Sequence, residues 1–246
     1  MFKYFYFFLT RFLLNLNFLI HHKHINKNQI TNLDLVIRLL KKRGYNPKNI
    51  VDVGCYKGIW TKKLLKFYPN AKFYLFDANI ENKNYLSNLS IKNENVQYYI
   101  KLLSNNVKKY NFYKMGSGSS YYEELTSHRR TKIELTSTIL QKELPHTITK
   151  YKDNLIKIDT QGSEIDVLKG LKSYINYFEV IILEVSIQKY NKLAPLFNEV
   201  QDYLNKKNFL LYDIYDLKRL GNFKSFLTQF DAIFVKKNSK LFRVKF

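Results

Sequence analysis

The stretch that decides the fold is Asn49-Ile-Val-Asp-Val-Gly-Cys-Tyr-Lys-Gly-Ile-Trp-Thr61. An apolar run of strand length leads through a glycine turn into a segment with helical spacing. Gly54 allows a tight turn at the carboxyl end of the strand, and Gly58 lets the N-terminus of the helix approach a ligand closely. A strand, a glycine turn and a helix in this order are typical of nucleotide sites in α/β proteins.

The residues around this turn indicate which nucleotide ligand it suits. A dinucleotide site uses Gly-x-Gly-x-x-Gly and a P-loop ends in Gly-Lys-Ser/Thr, whereas here Gly-x-x-x-Gly follows Asp52. A carboxylate at Asp52 suits a positive amino group better than a pyrophosphate. The next strand ends at Asp77, about 20 residues beyond Gly58, where a carboxylate can accept both hydroxyls of a ribose. The pattern therefore predicts a nucleoside with a cationic tail and no phosphate, and S-adenosylmethionine meets that description.

The rest of the chain alternates between strand and helix periods. A capping box of Thr31 and Asp34 predicts a helix that runs to Arg43 and stops at Gly44. Short apolar runs predict strands at 50–53, 73–76, 96–100, 155–158, 180–185, 209–214 and 231–235. Helical patterns fall at 60–67, 80–89, 164–171 and 195–206. Residues 110–136 break the rhythm and predict an insertion of two strand-like pieces around a Gly-Ser loop. Alternation of this kind predicts a parallel sheet covered by helices on both faces.

Several segments together resemble the FkbM family of class I, Rossmann-like methyltransferases, over residues 49–236. The resemblance rests on the first turn, on Phe76-Asp77, on Asn111-Phe-Tyr113 and on Leu155-Ile-Lys-Ile-Asp-Thr-Gln-Gly-Ser-Glu164. Glu184 and Asp231 match later strands of the family. The resemblance implies a mostly parallel sheet with an antiparallel C-terminal strand, and S-adenosylmethionine-dependent O-methylation of sugar or natural-product hydroxyls, as in polysaccharide biosynthesis. This chain departs from the family in having Cys55-Tyr56 and Asp77-Ala78 where Ala-Asn and Glu-Pro are usual.

These observations give a set of candidate site residues. The cofactor-binding candidates are Asp52, Gly54, Tyr56, Gly58, Asp77 and Ser104. Asp159 is the leading candidate for the general base or the group that orients the acceptor, and Glu164 is the second, because burial can raise the pKa of a carboxylate toward neutrality. No metal site is predicted, since two carboxylates are too few to support one.

Each candidate also has a purely structural interpretation. Asp52 can brace the turn and Asp77 can cap the next helix. A capping box of Ser163 and Asp166 would leave Glu164 favouring the helix dipole without touching substrate. A simple turn explains Ser104 as well as adenine stacking does. Lone histidines such as His128 and His146 are usually solvated.

The N-terminal segment differs from the rest of the chain. Residues 1–20 are strongly hydrophobic, but Arg11 and two asparagines make them amphipathic rather than membrane-spanning. An in-plane interfacial helix that contacts a membrane through residues 1–24 fits the pattern, and so does a helix packed on its own domain or on a second subunit. We therefore predict an N-terminal helix and polar junction at 1–30, followed by a methyltransferase domain at 31–246.

The cysteine count and the net charge limit which cellular compartment and which classes of partner fit the chain. The single Cys55 excludes an internal disulfide, and this favours a cytoplasmic setting with peripheral membrane contact as an option. The net charge of +21 is compatible with a nucleic-acid partner, but lysine is spread through the chain without a block of like charge. A small-molecule or glycan hydroxyl is therefore the preferred acceptor. RNA ribose methylation, and a non-catalytic membrane-associated module that retains the fold, stay open as alternatives. The oligomeric state is not predicted.

Overall fold

The computed structural model describes residues 32–189, 191–220 and 225–243. The N-terminal helix predicted at 1–30 lies outside the described residues. Among the helices that are described, none combines the length and the apolar character that a membrane span requires.

The described chain contains ten strands and six α-helices. The strands are β1 (Asn49–Val53), β2 (Lys72–Asp77), β3 (Val96–Ile100), β4 (Leu102–Leu103), β5 (Lys109–Lys114), β6 (Thr131–Thr138), β7 (Asn154–Ile158), β8 (Phe178–Ser186), β9 (Phe209–Leu220) and β10 (Phe226–Lys236). The helices are α1 (Leu33–Lys42), α2 (Ile59–Phe67), α3 (Lys83–Lys92), α4 (Leu140–Glu143), α5 (Glu164–Gly170) and α6 (Phe197–Asn205).

Seven strands form one central sheet in the order β3-β2-β1-β7-β8-β10-β9. All pairs from β3 to β8 are parallel, and β10 runs antiparallel to both β8 and β9. The predicted mostly parallel sheet with an antiparallel C-terminal strand is therefore confirmed. The chain moves outward in one direction from β1 and in the other from β7, so the switch point where α/β folds bind ligands lies between these two strands.

Two hydrophobic cores cover the two faces of the sheet. Successive residues of β1 point to opposite faces, as a strand requires, so that Ile50 packs with α1, α2 and α3, and Val51 packs with α4, α5 and α6. Both side chains are fully buried. Burial on both faces explains why the central strands read as continuous apolar runs in the sequence.

The first described helix ends as predicted but begins on a different cap. Asn32 is the N-cap, and its side chain accepts a hydrogen bond from the backbone N–H of Leu35 at 3.0 Å. The predicted cap residue, Thr31, lies outside the described residues. Gly44 follows the helix with φ +85°, the left-handed conformation that terminates helices.

The predicted insertion is a small separate sheet with the order β4-β6-β5. Strands β5 and β6 pair antiparallel, and the segment between them contains the loop 116–120, in which the Ser120 hydroxyl donates to the carbonyl of Thr160, just beyond β7. The last two strands are longer than the sequence predicts, because β9 extends to Leu220 and β10 begins at Phe226.

Candidate active site

A cavity opens at the carboxyl ends of β1, β2 and β7, which is the switch point of the sheet. The space between its lining atoms, with open solvent at the mouth included, is about 520 Å³. One wall is apolar and comes from β2, β4 and the inserted sheet. It contains Phe76, Ala78, Leu102, Leu103, Phe112 and Tyr121.

A second, more open cavity of about 790 Å³ adjoins the first. Both are lined by Gly54, Tyr56, Ser117 and Asp159. The second cavity combines apolar lining residues, among them Ile59 and Trp60, with the charged residues Lys63, Lys157, Asp159, Glu184, Asp216, Lys218 and Asp231. A ligand that fills the first cavity can therefore present one end to a second ligand beside Asp159.

Asp77, at the end of β2, lines the first cavity. Its Oδ2 accepts the backbone N–H of Tyr56 at 2.7 Å, and its Oδ1 accepts the N–H of Asn79 and the side-chain amide of Asn82. Burial raises the pKa of Asp77 above its usual range, although these hydrogen bonds oppose the shift. The carboxylate is held rigidly. Oδ1 already accepts two hydrogen bonds, so the acceptor position left for a ligand hydroxyl is on Oδ2.

Gly54 brings β1 against the end of β7. A Cβ at this position would lie 1.8 Å from the backbone oxygen of Asp159, and φ is +72°. Only glycine satisfies both conditions. Tyr56, two residues after Gly54, also has a positive φ, of 50°, and it lines both cavities.

Asp159 sits at the junction of the two cavities with its side chain about a quarter exposed (26%). Its Oδ2 accepts the Nζ of Lys157 at 3.0 Å, and its Oδ1 accepts the amide of Gln161 at 2.8 Å. Burial opposes ionisation, but Lys157, Lys218 and the hydrogen bond from Gln161 together outweigh it and lower the pKa of Asp159. The expectation that burial raises the pKa of this carboxylate toward neutrality is therefore wrong.

Lys157 is a buried cation in an otherwise apolar strand. Its Nζ lies 3.9 Å from Oδ1 of Asp52 and 5.9 Å from the ring centroid of Trp60. Burial alone would lower the pKa of Lys157, but the carboxylates around it raise the pKa instead. The ammonium therefore stays charged and neutralises the acids at the ends of β1 and β7.

The far side of the second cavity is a polar network on β8, β9 and β10. Glu184 accepts hydrogen bonds from Lys218, from Gln161 and from Gln229 at 3.2 Å. Asp231 lies opposite Glu184 in the β8–β10 pairing. Burial, partly offset by the Lys157 ammonium, raises the pKa of Asp231 to about 8.

Four predicted site residues do not line either cavity. Asp52 is fully buried beneath the turn, where its Oδ2 accepts the hydroxyl of Thr61 at 2.6 Å. Gly58 faces the core, because a Cβ there would meet Leu89 at 2.7 Å. Ser104 is fully buried too, and its hydroxyl pairs with Tyr110 at 2.9 Å. The fourth of these residues is Glu164.

Glu164 supports the turn that follows β7. Its Oε1 accepts the backbone N–H groups of Thr160 and Gly162, each at 3.0 Å. Burial raises the pKa of Glu164 to about 7. The predicted capping box does not form, because Ser163 caps no N–H with its side chain and Asp166 accepts hydrogen bonds from Tyr121, Tyr122 and Asn105 instead.

Sequence reasoning missed several residues that line the second cavity or bind its carboxylates. Lys157, Gln161 and Lys218 had no assigned role, and Asp231 entered only as a match to a family strand. Lys157 carried a visible signal, since a charged residue inside an apolar strand is buried only when it is paired. Lys218 carried no such signal, because the sequence pattern predicts that its strand ends at residue 214. His128 is exposed and His146 pairs with Tyr174, and neither lines the two cavities.

The first cavity suits a cationic nucleoside. Among its charged lining residues two are acids, Asp77 and Asp159, and the one base is Lys101, whose Nζ lies 4.0 Å from Glu143. S-adenosylmethionine carries a sulfonium and an ammonium against one carboxylate, so its charge complements this lining. No group of three or more His, Cys, Asp or Glu residues within the described ranges is arranged to hold a metal ion.

The sheet order, the antiparallel strand β10 and the cavity at the switch point define a Rossmann-like α/β domain with a nucleoside site. A family model for the methyltransferase FkbM domain matches residues 52–211. The chain belongs to this family, and its cofactor is S-adenosylmethionine.

Solved structures with similar folds are distant in sequence. A precorrin-6y C5,15-methyltransferase from Geobacter metallireducens has 10% identity and a TM-score of 0.44, with 86% of this chain and 93% of that chain covered. An rRNA methylase from Streptococcus thermophilus has 12% identity and a TM-score of 0.47, with 82% and 94% covered. A search of curated proteins found no match. Similarity at this level does not identify a substrate.

Proposed function

We propose that this S-adenosylmethionine-dependent methyltransferase methylates a hydroxyl group of a sugar, a glycan or a related biosynthetic intermediate. The observation that carries the proposal is the set of seven charged side chains in the second cavity, which meets the cofactor cavity at Asp159. Both carboxyl and ammonium groups line it, and Trp60 adds an aromatic surface. Hydroxyl groups both donate and accept hydrogen bonds, so a polyhydroxylated acceptor can satisfy groups of both kinds.

The charge of this cavity argues against a nucleic-acid backbone as the acceptor. Its lining holds four carboxyl groups, from Asp159, Glu184, Asp216 and Asp231, against three ammonium groups. A phosphate chain would meet no excess of positive charge there, although such an excess supplies most of the affinity of nucleic-acid sites. The overall charge of +21 belongs to the surface as a whole rather than to this cavity.

The bound cofactor would supply a methyl group on a positively charged sulfur, which becomes neutral when an acceptor oxygen takes the methyl. Asp77 would hold the ribose hydroxyls, and the apolar wall that includes Phe112 would pack against the adenine. Asp159 stays ionised at neutral pH because of Lys157, so it would orient the acceptor hydroxyl and favour the positive charge nearby.

The acceptor oxygen must also lose its proton. Asp231 is the carboxyl group of the second cavity whose pKa, about 8, comes close to neutral pH, which is the range in which a general base is most effective. We therefore assign proton removal to Asp231. This reassignment replaces Asp159 as the base and gives it the positioning role instead.

The test is transfer of tritiated methyl from S-adenosylmethionine to a panel of nucleotide sugars, lipid-linked glycans and RNA. We expect label in the carbohydrate fractions, and we expect Asp231→Asn to remove it while cofactor binding remains. Asp202→Asn, on the exposed surface of α6, is the matched control. Label in RNA alone, or full activity in Asp231→Asn, would contradict the proposal.

A further inference from the structure

The inserted segment, residues 110–136, supplies part of the lining of the first cavity. The residues that it contributes are Phe112, Gly116, Ser117, Ser119, Ser120 and Tyr121. Two of the strands that carry or flank this segment, β5 and β6, belong to the small sheet and do not pair with the main sheet. The shape of the cavity therefore depends on how side chains hold this segment against the rest of the fold.

Asp166, in the first turn of α5, makes the contacts that join the two parts. Its Oδ2 accepts the hydroxyls of Tyr121 and Tyr122, each at 2.8 Å, and its Oδ1 accepts the side-chain amide of Asn105 at 2.8 Å. These partners lie 44 to 61 residues away in the sequence, so the contacts are tertiary and do not cap the helix. Hydrogen bonds to a carboxylate are stronger than those between neutral groups.

Tyr121 lies between Asp166 and the first cavity. The residue is only 7% exposed, and its hydroxyl also lies 3.2 Å from Oγ of Ser104. Burial, together with the charge of Asp166, raises the pKa of Tyr121 above its usual range, so the hydroxyl stays a donor. Its ring packs against the rings of Tyr110 and Tyr122, with centroids 4.4 and 4.9 Å away. Because the hydroxyl is engaged, the part of Tyr121 that is left for the cavity is its ring.

The same stretch of chain also contacts the turn that follows β7. The Ser120 hydroxyl donates to the carbonyl of Thr160 at 3.1 Å and accepts the backbone N–H of Tyr122 at 3.0 Å. Glu164, two residues before Asp166 on α5, binds the backbone of that turn. The first turn of α5 therefore carries one carboxylate that holds the turn after β7 and another that holds the inserted wall of the cavity.

We infer that Asp166 is a positioning residue for S-adenosylmethionine, which acts by fixing Tyr121 as a wall of the first cavity. Asp166 lines neither cavity, so it acts through the tyrosine rather than by touching the ligand. A wall that is fixed before binding lowers the conformational cost of binding. Loss of the Asp166 contacts should therefore weaken cofactor binding. The inference concerns the cofactor alone and holds for any acceptor.

Calorimetric titration of the full chain with S-adenosylmethionine tests this role in two variants. Asp166→Leu has a similar size and removes the acceptor of both tyrosine hydroxyls, so we expect Kd to rise at least about tenfold. Asp166→Asn should keep Kd within about threefold of the unsubstituted value, because an amide oxygen can still accept both hydroxyls. Its amide nitrogen can donate to Oδ1 of Asn105, which has no hydrogen-bond partner among the described residues.

Glu199→Ala is the matched control for a loss of stability alone. Glu199 is also an acid in the first turn of a helix, where its Oε2 accepts the backbone N–H of Leu196 at 2.9 Å. It lines neither cavity. Its replacement should lower the unfolding temperature, because a helix cap is lost, and leave the Kd of the cofactor unchanged.

A double-mutant cycle identifies the side chain through which Asp166 acts. Tyr121→Phe keeps the ring and removes the hydroxyl, so it should raise Kd in the unsubstituted chain and have no further effect in Asp166→Leu. Tyr122→Phe should change Kd by less than about twofold, because Tyr122 lines neither cavity.

Three results would overturn the inference. Unchanged cofactor affinity in a folded Asp166→Leu would remove Asp166 from the positioning of the cofactor, and a rise in Kd of the same size in Glu199→Ala would assign the effect to stability. A rise that Asp166→Asn shares in full would show that these hydrogen bonds are not what matters. If Asp166→Leu does not fold, Tyr121→Phe decides, since an unchanged Kd there contradicts the inference.

Discussion

The Nζ of Lys157 and the Oδ2 of Asp159 lie 3.0 Å apart at the end of β7. The ammonium is almost fully buried, while the carboxylate faces the junction of the two cavities. The same ammonium lies 3.9 Å from the buried Asp52. One cation thus lies beside two acids: the pKa of Asp159 is lowered, whereas burial raises the pKa of Asp52 although Lys157 opposes the shift. This arrangement leads to the first prediction.

Replacing Lys157 with methionine should destabilise the fold strongly. The substitution preserves length and removes the charge, which leaves Asp52 buried without its counter-ion. We expect the free energy of unfolding to fall by about 3–5 kcal/mol in urea denaturation. Lys62→Met, on the exposed face of α2, should change it by less than about 0.5 kcal/mol. Equal stability of the two variants would mean that Lys157 does not compensate these acids.

The assignment of Asp231 predicts a pH profile for methyl transfer. A base acts when it is deprotonated, so kcat/KM should rise with pH and level off above about pH 8, where the pKa of Asp231 lies. Asp231→Asn should lower kcat by about 10²–10⁴ and remove this rise. A profile that already levels off at pH 6, or a rise that survives in Asp231→Asn, would assign the proton to another group.

Glu164 predicts a pH dependence of stability rather than of activity. Its pKa in the folded state, about 7, lies above the ordinary value of 4.5, so the folded chain binds this proton more tightly than the unfolded chain does. Stability should therefore fall as pH rises from about 4.5 to about 7, by at most about 1.4 kcal/mol per pH unit from this group.

Glu164→Gln is the variant that isolates this effect. The amide keeps an acceptor for the N–H groups of Thr160 and Gly162 and removes the titration. Urea denaturation from pH 4.5 to 8 should show a flatter profile than the unsubstituted chain, with transfer activity at neutral pH reduced less than about tenfold. A loss of activity above a hundredfold with an unchanged stability profile would return Glu164 to the catalytic role.

The close approach at Gly54 predicts a contrast between two glycines. A Cβ at Gly54 would collide with the backbone oxygen of Asp159, whereas a Cβ at Gly44 meets nothing within 4 Å. Both residues have positive φ, so Gly44→Ala measures the conformational cost alone, about 1–2 kcal/mol. Gly54→Ala should cost more than about 3 kcal/mol in thermal or urea denaturation. Similar values for the two would show that β1 and β7 can separate without loss.

The fold was largely predictable because the central strands have both faces buried. Runs such as 73–76 are apolar throughout, and helical spacing between them leaves few arrangements other than a parallel sheet. The end of β9 was missed, since Asp216, Lys218 and Arg219 are exposed on an edge strand and give no apolar pattern. Its length depends on pairing with β10, which local sequence does not encode.

The candidate site was predictable where backbone position alone decides the role. Asp77 and Asp159 end parallel strands, so both lie at the edge of the sheet where ligands bind. Asp52 does not follow this rule, because it lies one residue before the end of β1. Its carboxylate points into the core toward Thr61. Ser104 does not reach the cavity because of tertiary contacts: Tyr110 and Tyr121 of the inserted segment cover it.

The most direct test of the account is titration of the full chain with S-adenosylmethionine by calorimetry, for the unsubstituted protein and for Asp77→Ala. We predict one site per chain, with affinity reduced at least about tenfold by Asp77→Ala and unchanged by Asp202→Ala, and with both variants folded by circular dichroism. Binding that Asp77→Ala leaves intact, or no heat with the unsubstituted protein, would contradict the assignment of the first cavity to the cofactor.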